Sequence, residues 1–300
     1  MAKPKTVHRV GIVAKARLSA VAEHLSQIAD WLEARSIAPV FDPDSAALAA
    51  SVGMQQFCRI VEKDALPGQV DLILVLGGDG TLLSMADRIG QSGVDIPILG
   101  VNFGSLGFLT EVTLPELYSS LEAVVGGTAQ IDERMMLRSV TTRGGRPFEE
   151  RIVLNDVVVT QGTLSRIIDL SISVSGEFVM RIRADGLIIS SPTGSTAYNL
   201  AAGGPIIHPA VDALTITPIA PHMLTNRPLV VPATSEISVQ PQIDASHDEV
   251  FATFDGQFGF RLHPGDVVSV RRAERPLRLI RAPARNYFEV LREKLKWGQR

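Results

Sequence analysis

Features that mark several specialised classes of protein are scarce in this sequence. Its 300 residues contain one cysteine, Cys58, which excludes an intrachain disulfide and cysteine-rich zinc sites. No apolar run reaches the roughly 18 residues that a membrane-spanning helix needs. The 29 basic and 32 acidic residues leave a net charge of −3, which argues against nucleic acid or an anionic membrane as partner. Residues 1–6 lack the apolar core of a signal peptide, so we expect a soluble cytoplasmic protein.

The apolar pattern that the sequence does contain changes near residue 135. Before that point short apolar runs alternate with helical patterns, and one run is apolar throughout, as expected of a strand buried on both faces. Strands that alternate with helices predict a parallel sheet with right-handed crossovers. The predicted strands are Val10–Ala14, Ala38–Phe41, Asp71–Leu76 and Ile96–Val101, and the predicted helices begin at Ser19 and Thr81.

Beyond residue 135 the apolar runs are short, alternate with polar residues and are separated by turn residues. This pattern predicts an antiparallel, sandwich-like β domain, with Ile152–Val159 as one of its strands. A single helix is predicted from Ser195 to just before Gly203, and an amphipathic helix over Asn286–Trp297. We therefore predict an α/β domain at residues 1–135, a β-rich domain at 136–282, and a C-terminal helix at 283–300 that packs on the N-terminal domain.

The strongest local motif is the loop Gly77-Gly78-Asp79-Gly80-Thr81, between a buried strand and a helix. Its glycines leave backbone N–H groups free to face phosphate oxygens, and the helix adds the positive end of its dipole. An acid inside an anion-binding loop is a poor phosphate ligand. We therefore expect Asp79 to accept a proton from an attacking hydroxyl or to hold Mg²⁺ through water. The structural alternative is a plain turn in which Asp79 caps the helix.

Two further blocks are rich in glycine and hydroxyl groups. Asn102–Leu109 follows the next predicted strand and could face the first loop, because the carboxyl ends of parallel strands line one crevice. A loop that docks on the second domain is the alternative. Ala184–Pro205 leads into a helix start crowded with hydroxyls, which suits a purine or nicotinamide ring, although helix capping alone would also explain it. Taken alone, Asp255-Gly256 is typical of a hairpin turn.

Together these motifs resemble those of the NAD kinase family. The GGDG element alone is shared with diacylglycerol and sphingosine kinases and, more loosely, with phosphofructokinases, whereas GSTAYNLAAGGP is highly specific. The matching segments cover nearly the whole chain: LGGDGT (76–81), NFGSLGFLT (102–110), LNDVVV (154–159), DGLIISSPTGSTAYNLAAGGPIIHP (185–209) and DGQ (255–257).

The resemblance implies an enzyme that transfers the terminal phosphoryl group of ATP to the 2′-hydroxyl of the adenosine ribose of NAD, giving NADP and ADP. It implies a divalent metal cofactor, usually Mg²⁺, and we predict no side chain that ligates the metal directly. It also implies a homodimer or homotetramer. Asp79 would be the proton acceptor. The residues it assigns to ATP and its phosphates are Gly77, Gly78, Gly80, Thr81 and Asn102.

The resemblance also assigns a set of residues to NAD. Two of them, Arg183 and Asp185, stand two apart at the end of a predicted strand, so we expect them to form one polar wall of the dinucleotide site. Ala201 departs from the family, which usually carries serine there, so only a backbone contact is expected. The assigned residues are Asp79, Gly80, Asn155, Asp156, Arg166, Arg183, Asp185, Thr193, Thr196, Ala197, Tyr198, Asn199, Leu200, Ala201 and Gln257.

Two other functions are compatible with part of the sequence. A lipid kinase of the diacylglycerol type shares GGDGT and a two-domain outline, but it needs an apolar acceptor groove or a membrane-directed surface, of which the composition gives no sign. A nucleotide-binding regulatory module without turnover would be favoured by loss of the acid from the loop, but Asp79 is present.

Overall fold

The computed structural model describes residues 7–15, 19–51, 53, 59–104, 106–162, 167–223, 225–244, 249–282 and 285–298. The chain divides into two compact units, Met1–Glu133 with Leu277–Arg300, and Arg134–Pro276. The first is α/β and the second is built of strands, which confirms the predicted fold class. The boundaries differ from those expected, because the chain returns to the first unit at Leu277 instead of after residue 282.

The helices and strands are numbered in chain order. The strands are β1 (Arg9–Ala14), β2 (Ala38–Phe41), β3 (Leu72–Gly77), β4 (Pro97–Asn102), β5 (Val112–Thr113), β6 (Ile131–Arg134), β7 (Leu137–Arg143), β8 (Arg146–Val153), β9 (Asp156–Gln161), β10 (Ile168–Val174), β11 (Glu177–Ala184), β12 (Gly186–Ser190), β13 (Ala213–Ile219), β14 (Leu229–Pro232), β15 (Ile237–Gln242), β16 (Val250–Phe254), β17 (Phe258–Leu262), β18 (Val267–Arg272) and β19 (Leu277–Ile280). The helices are α1 (Ser19–Glu33), α2 (Pro43–Ala50), α3 (Asp79–Ser92), α4 (Leu117–Val125), α5 (Tyr198–Ala201) and α6 (Tyr287–Leu295).

The first unit is organised around a seven-stranded sheet in the order β2-β1-β3-β4-β19-β6, with β5 beside β4. Strand β3 is buried along its whole length, as its uninterrupted apolar sequence predicts. It runs parallel to β4, and the last residues of the two strands, Gly77 and Asn102, are register partners. The loops that follow these strands therefore start side by side, because parallel strands end at the same edge of a sheet.

The second unit is a sandwich of two six-stranded sheets, in the orders β11-β10-β15-β18-β7-β8 and β14-β13-β12-β9-β16-β17. Their inward side chains share one apolar core, to which Leu170 and Ile189 each contribute from a different sheet. The predicted strand Ile152–Val159 is interrupted: β8 ends at Val153 and β9 begins at Asp156. The cause is a turn in the chain whose N–H groups bind the carboxylate of Asp255.

The C-terminal helix α6 belongs to the first unit and buries Val290 and Leu291. Its start is fixed by a capping box, in which the Asn286 side chain accepts from the Glu289 N–H at 3.0 Å and the Glu289 carboxylate accepts from the Asn286 N–H at 3.0 Å. None of the helices in the described ranges combines the length and the apolar composition that a membrane crossing requires.

Candidate functional site

The loop Gly77–Thr81 leads from β3 directly into α3. Gly78 is the residue that precedes the helix, and Asp79 is the first helical residue. The alternative in which Asp79 caps the helix is therefore wrong. The side chain of Asp79 is half-buried and turns away from the helix, towards the loop that follows β4.

The carboxylate of Asp79 is surrounded by hydrogen-bond donors from that second loop. Its Oδ2 accepts from the N–H of Phe108 at 2.8 Å. Its Oδ1 accepts from the N–H of Leu109 at 3.1 Å, the N–H of Thr110 at 3.0 Å and the Thr110 hydroxyl at 2.9 Å. The two glycine-rich loops thus meet, and a single carboxylate joins them.

Gly107 makes this closure sterically possible. A Cβ at that position would overlap both Oδ1 of Asp79 and the Thr110 hydroxyl. The side chain of Asn102 joins two parts of this loop. Its amide nitrogen donates to the Thr110 hydroxyl at 3.0 Å, and its Oδ1 accepts from the Gly104 N–H at 2.5 Å. Asn102 was expected to contact phosphate, and in the structure its amide group forms hydrogen bonds within the loop.

A cleft of about 330 Å³ lies beside the loop Gly77–Thr81 in the first unit. Its lining includes Gly78, Gly80 and Thr81 from the loop, and Lys15, which directly follows β1. Lys63 also lines it, but its ammonium pairs with the buried carboxylate of Asp42 at 3.2 Å and with Asp44 at 2.5 Å. Loop N–H groups, the start of α3 and the exposed Lys15 give the cleft the character of an anion site.

In the second unit, three separate sequence motifs meet around Asp255. This buried carboxylate accepts from the N–H of Leu154 at 2.7 Å, of Asn155 at 2.7 Å and of Asp156 at 2.9 Å. The carbonyl of Asn155 accepts in turn from the N–H of Ser191 at 2.9 Å. Asp255 therefore anchors the Asn155-Asp156 segment beside the hydroxyl-rich block. The sequence showed only a hairpin turn there, so this role was missed.

Asp156 lies in the interior with an unusual charge state. Burial, and after it the negative charge of Asp255, raises the pKa of Asp156 to about 7. Asp156 is only 5% exposed, so the charged form of its carboxyl group is poorly solvated. Near neutral pH it is close to half protonated and can donate as well as accept a hydrogen bond.

The raised pKa predicts a pH dependence of stability. Between about pH 4 and 7 the unfolded chain has lost this proton while the folded chain retains it, so the free energy of unfolding falls as pH rises through this window. Asp156→Asn removes the ionisation. Without ligand, we expect its free energy of unfolding relative to the parent to rise by roughly 1–3 kcal/mol from pH 5 to pH 8.

Denaturant unfolding at both pH values measures this difference. Asp212→Asn is the matched control, since it makes the same chemical change at a side chain that is 75% exposed on the same unit. A difference for Asp156→Asn that does not change between the two pH values would contradict the raised pKa of Asp156.

The hydroxyl-rich block differs from the single helix that was predicted. It forms a 3₁₀ helix over Thr193–Thr196 and then the one-turn helix α5, because the backbone of Ala197 (φ −94°, ψ −131°) leaves the helical region. Thr196 donates to the carbonyl of Thr193 at 3.3 Å. The Thr193 hydroxyl itself is buried and has no hydrogen-bond partner within the part of the chain that the structure describes.

Asn199 was expected to contact NAD, but its side chain belongs to the interior. It is fully buried, and its amide nitrogen donates to the carbonyls of Ser195 at 3.2 Å and Pro205 at 3.1 Å. Its Oδ1 accepts from the hydroxyls of Thr215 at 3.2 Å and Thr217 at 2.6 Å. No hydrogen-bonding capacity of this side chain is left for a ligand, so any contact from Asn199 comes from its backbone.

The other residues of the second unit that were predicted to bind NAD differ in their exposure and in their hydrogen-bond partners. Tyr198 is 47% exposed, so its ring does not fill the core. Arg183 is the second-last residue of β11 and pairs with Asp169 at 3.7 Å, whereas Asp185 follows β11 in the chain and accepts from the Gln161 side chain at 3.0 Å. The expectation of one strand through both residues is wrong, because the chain changes sheet at Asp185. Leu200 is half-buried, Ala201 and Gln257 are exposed, and Arg166 lies outside the described residues.

Comparisons with known proteins bear on both units. Residues 10–129 match the family described as ATP-NAD kinase N-terminal domain, and residues 154–282 match ATP-NAD kinase C-terminal domain. An NAD kinase of Geotalea daltonii is 50% identical over 274 residues, which cover 91% of this chain and 93% of the relative.

Two solved structures have a similar fold. A yeast NADH kinase complexed with NADH superposes with a TM-score of 0.90 at 24% identity, covering 99% of this chain and 89% of that one. An NAD kinase from Archaeoglobus fulgidus in complex with ATP gives a TM-score of 0.73 at 24% identity, covering 95% and 99% of the two chains.

Proposed function

The chain belongs to the NAD kinase family and phosphorylates NAD with ATP, and from this premise we propose how its own residues carry out the reaction. In the proposal, Asp79 is the group that accepts the proton of the 2′-hydroxyl, and the cleft lined by Gly78, Gly80 and Thr81 receives the phosphates of the donor. One observation carries this assignment: a half-buried carboxylate inside a glycine-rich loop is fixed by four donors.

The transfer itself requires mainly positioning and charge neutralisation. The O–H bond of the 2′-hydroxyl breaks and its proton passes to Asp79, while the electron pair remains on the ribose oxygen. That oxygen forms a bond to the γ-phosphorus as the bond from the γ-phosphorus to the β-phosphate oxygen breaks, and ADP leaves with that electron pair. Gly78, Gly80 and Thr81 would hold the donor phosphates, and the charge of Lys15 would favour them in the same cleft.

Mg²⁺ fits this chain as an ion carried by the donor phosphates. No group of three or more His, Cys, Asp or Glu side chains suited to a metal occurs in the described ranges. Mg²⁺ commonly keeps several waters and binds through substrate phosphates with only one or two carboxylates. When bound, the ion would neutralise phosphate charge, and Asp79 is the acidic residue within the loop Gly77–Thr81 that would hold those phosphates.

The second unit supplies groups that suit a dinucleotide. The buried hydroxyl of Thr193 has no hydrogen-bond partner among the described residues, and a polar group of the ligand would supply one. Asp156 can donate or accept a hydrogen bond near neutral pH, and a ribose hydroxyl can pair with it in either role. The backbone of Thr196–Ala201 would follow the ligand, with the exposed ring of Tyr198 against one of its bases.

Tyr198→Ala tests the stacking. Base stacking on an aromatic ring is worth roughly 1–3 kcal/mol, so we expect KM for NAD to rise by about 5- to 150-fold. The melting temperature without ligand should stay near that of the parent, because the ring is exposed. Tyr198→Phe retains the ring and should keep most of the affinity. A large fall in melting temperature with unchanged KM would contradict the proposal.

We also propose that the protein is a cytoplasmic homodimer or homotetramer. Phe178 and Phe148 are 66% and 48% exposed on β11 and β8, the two edge strands of one sheet of the sandwich. Exposed aromatic side chains on sheet edges are typical of surfaces that another chain covers. Light scattering on the purified protein measures the mass, and a monomer at working concentration would contradict this assignment.

A further inference from the structure

The described residues that surround Asp79 contain a second side chain, Thr110, with a defined task in the reaction. We propose that Thr110 is a positioning residue, whose hydroxyl holds the Asp79 carboxylate in the orientation in which Oδ2, the oxygen with fewer donors, takes the proton of the acceptor hydroxyl. This inference rests on the proposed role of Asp79.

The direction of the Thr110 hydrogen bond is set by Asn102. The amide oxygen of Asn102 accepts from the Gly104 N–H at 2.5 Å, so its amide nitrogen faces the Thr110 hydroxyl, 3.0 Å away. That nitrogen can only donate, and the hydroxyl oxygen therefore accepts from it. The single hydroxyl proton of Thr110 then points to Oδ1 of Asp79, at 2.9 Å.

The donors are distributed unequally between the two carboxylate oxygens. A carboxylate oxygen accepts about two hydrogen bonds in good geometry. Oδ1 already receives three, from the N–H of Leu109, the N–H of Thr110 and the Thr110 hydroxyl. From the described residues Oδ2 receives one, from the N–H of Phe108, so a second hydrogen bond can still be accepted there. An incoming hydroxyl would therefore transfer its proton to Oδ2.

The Thr110 side chain is held in place because it is buried. Thr110 has no exposed surface, and the loop around it closes only because Gly107 lacks a Cβ. Without the Thr110 hydroxyl, the carboxylate would keep its backbone donors but could rotate between its two oxygens. The proton acceptor would then spend less time in line with the substrate, and misplacement of a reacting group by about 1 Å can cost about 100-fold in rate.

The test is a double-mutant cycle with Thr110→Val and Asp79→Asn. Valine keeps the shape of threonine without its hydroxyl. We expect Thr110→Val to lower kcat by about 10- to 100-fold, with KM for NAD and for ATP changed by less than about threefold. In the Asp79→Asn background the same substitution should lower kcat by less than about twofold, because residues that act as a unit are not additive.

Two further variants separate positioning from stability. Thr110→Ser retains the hydroxyl and should recover most of kcat, whereas equal losses for serine and valine would overturn the proposal. Thr128→Val changes an exposed threonine of the same unit and should match the parent. Equal fold-losses from Thr110→Val in both backgrounds would also overturn it. If Asp79→Asn is impaired while Thr110→Val equals the parent, only the role of Thr110 is wrong; near-parental Asp79→Asn would refute the proposed role of Asp79 itself.

Discussion

Replacing Asp79 by asparagine should reduce kcat by about 10²- to 10⁴-fold, the usual contribution of a positioned acid–base group. The amide cannot accept a proton from the ribose hydroxyl, and its NH₂ group would face an N–H donor of the loop. Apart from Asp79 and Gly80, the residues proposed to bind NAD lie in the second unit and keep their own anchors, so KM for NAD should change little. Steady-state rates of NADP formation, with NAD and ATP varied in turn, separate the two parameters.

Asp87→Asn is the matched control for that experiment. Asp87 lies on the same helix, α3, and its carboxylate accepts only from the side chain of Gln91 at 3.0 Å among the contacts seen. The same chemical change there should leave kcat within about twofold of the parent, because a surface substitution away from the site has a small effect. If Asp79→Asn behaved like Asp87→Asn, the carboxylate would only be holding the loop.

Asn199→Ala should lower the free energy of unfolding by about 3–5 kcal/mol. The substitution leaves two buried threonine hydroxyls and two carbonyls without their shared partner. It also leaves a gap beside Gly204, because the Asn199 amide lies where a Cβ on Gly204 would be. Urea denaturation of the ligand-free protein, monitored by circular dichroism, measures the loss.

The neighbouring Tyr198→Ala provides the comparison, because it removes a larger side chain from the same short helix. Its ring is 47% exposed, so its cost in unfolding free energy should stay below about 1 kcal/mol. Asn199 and Tyr198 were assigned the same role from the sequence. Equal destabilisation by the two substitutions would contradict the interior role of Asn199.

Local patterns predicted the parts of the site that depend on chain direction alone. The apolar run before Gly77 predicts a buried strand, and the helical pattern after Thr81 requires a turn between the two, so the strand–loop–helix arrangement followed directly. Because β3 and β4 are parallel neighbours, the meeting of the loops after Gly77 and Asn102 also followed. These expectations needed no knowledge of side-chain contacts.

Contacts between residues distant in sequence were not predictable in this way. Asp255 binds backbone groups about 100 residues earlier in the chain, and an Asp-Gly pair gives no sign of such a partner. The interior position of Asn199 depends on Thr215 and Thr217, whose hydroxyls converge on it from strand β13. Most of the hydrogen bonds to the Asp79 carboxylate come from backbone N–H groups. Every residue except proline carries such a group, so no side-chain pattern identifies them.

The most direct test of the account is a stoichiometric measurement of both products with the full chain. Purified protein is incubated with NAD, ATP and Mg²⁺, and NADP and ADP are quantified over time for the parent and for Asp79→Asn. The account predicts one NADP for each ADP in the parent, and loss of both products together in the variant. Formation of ADP without NADP, or equal NADP formation by the parent and Asp79→Asn, would contradict phosphoryl transfer to NAD through Asp79.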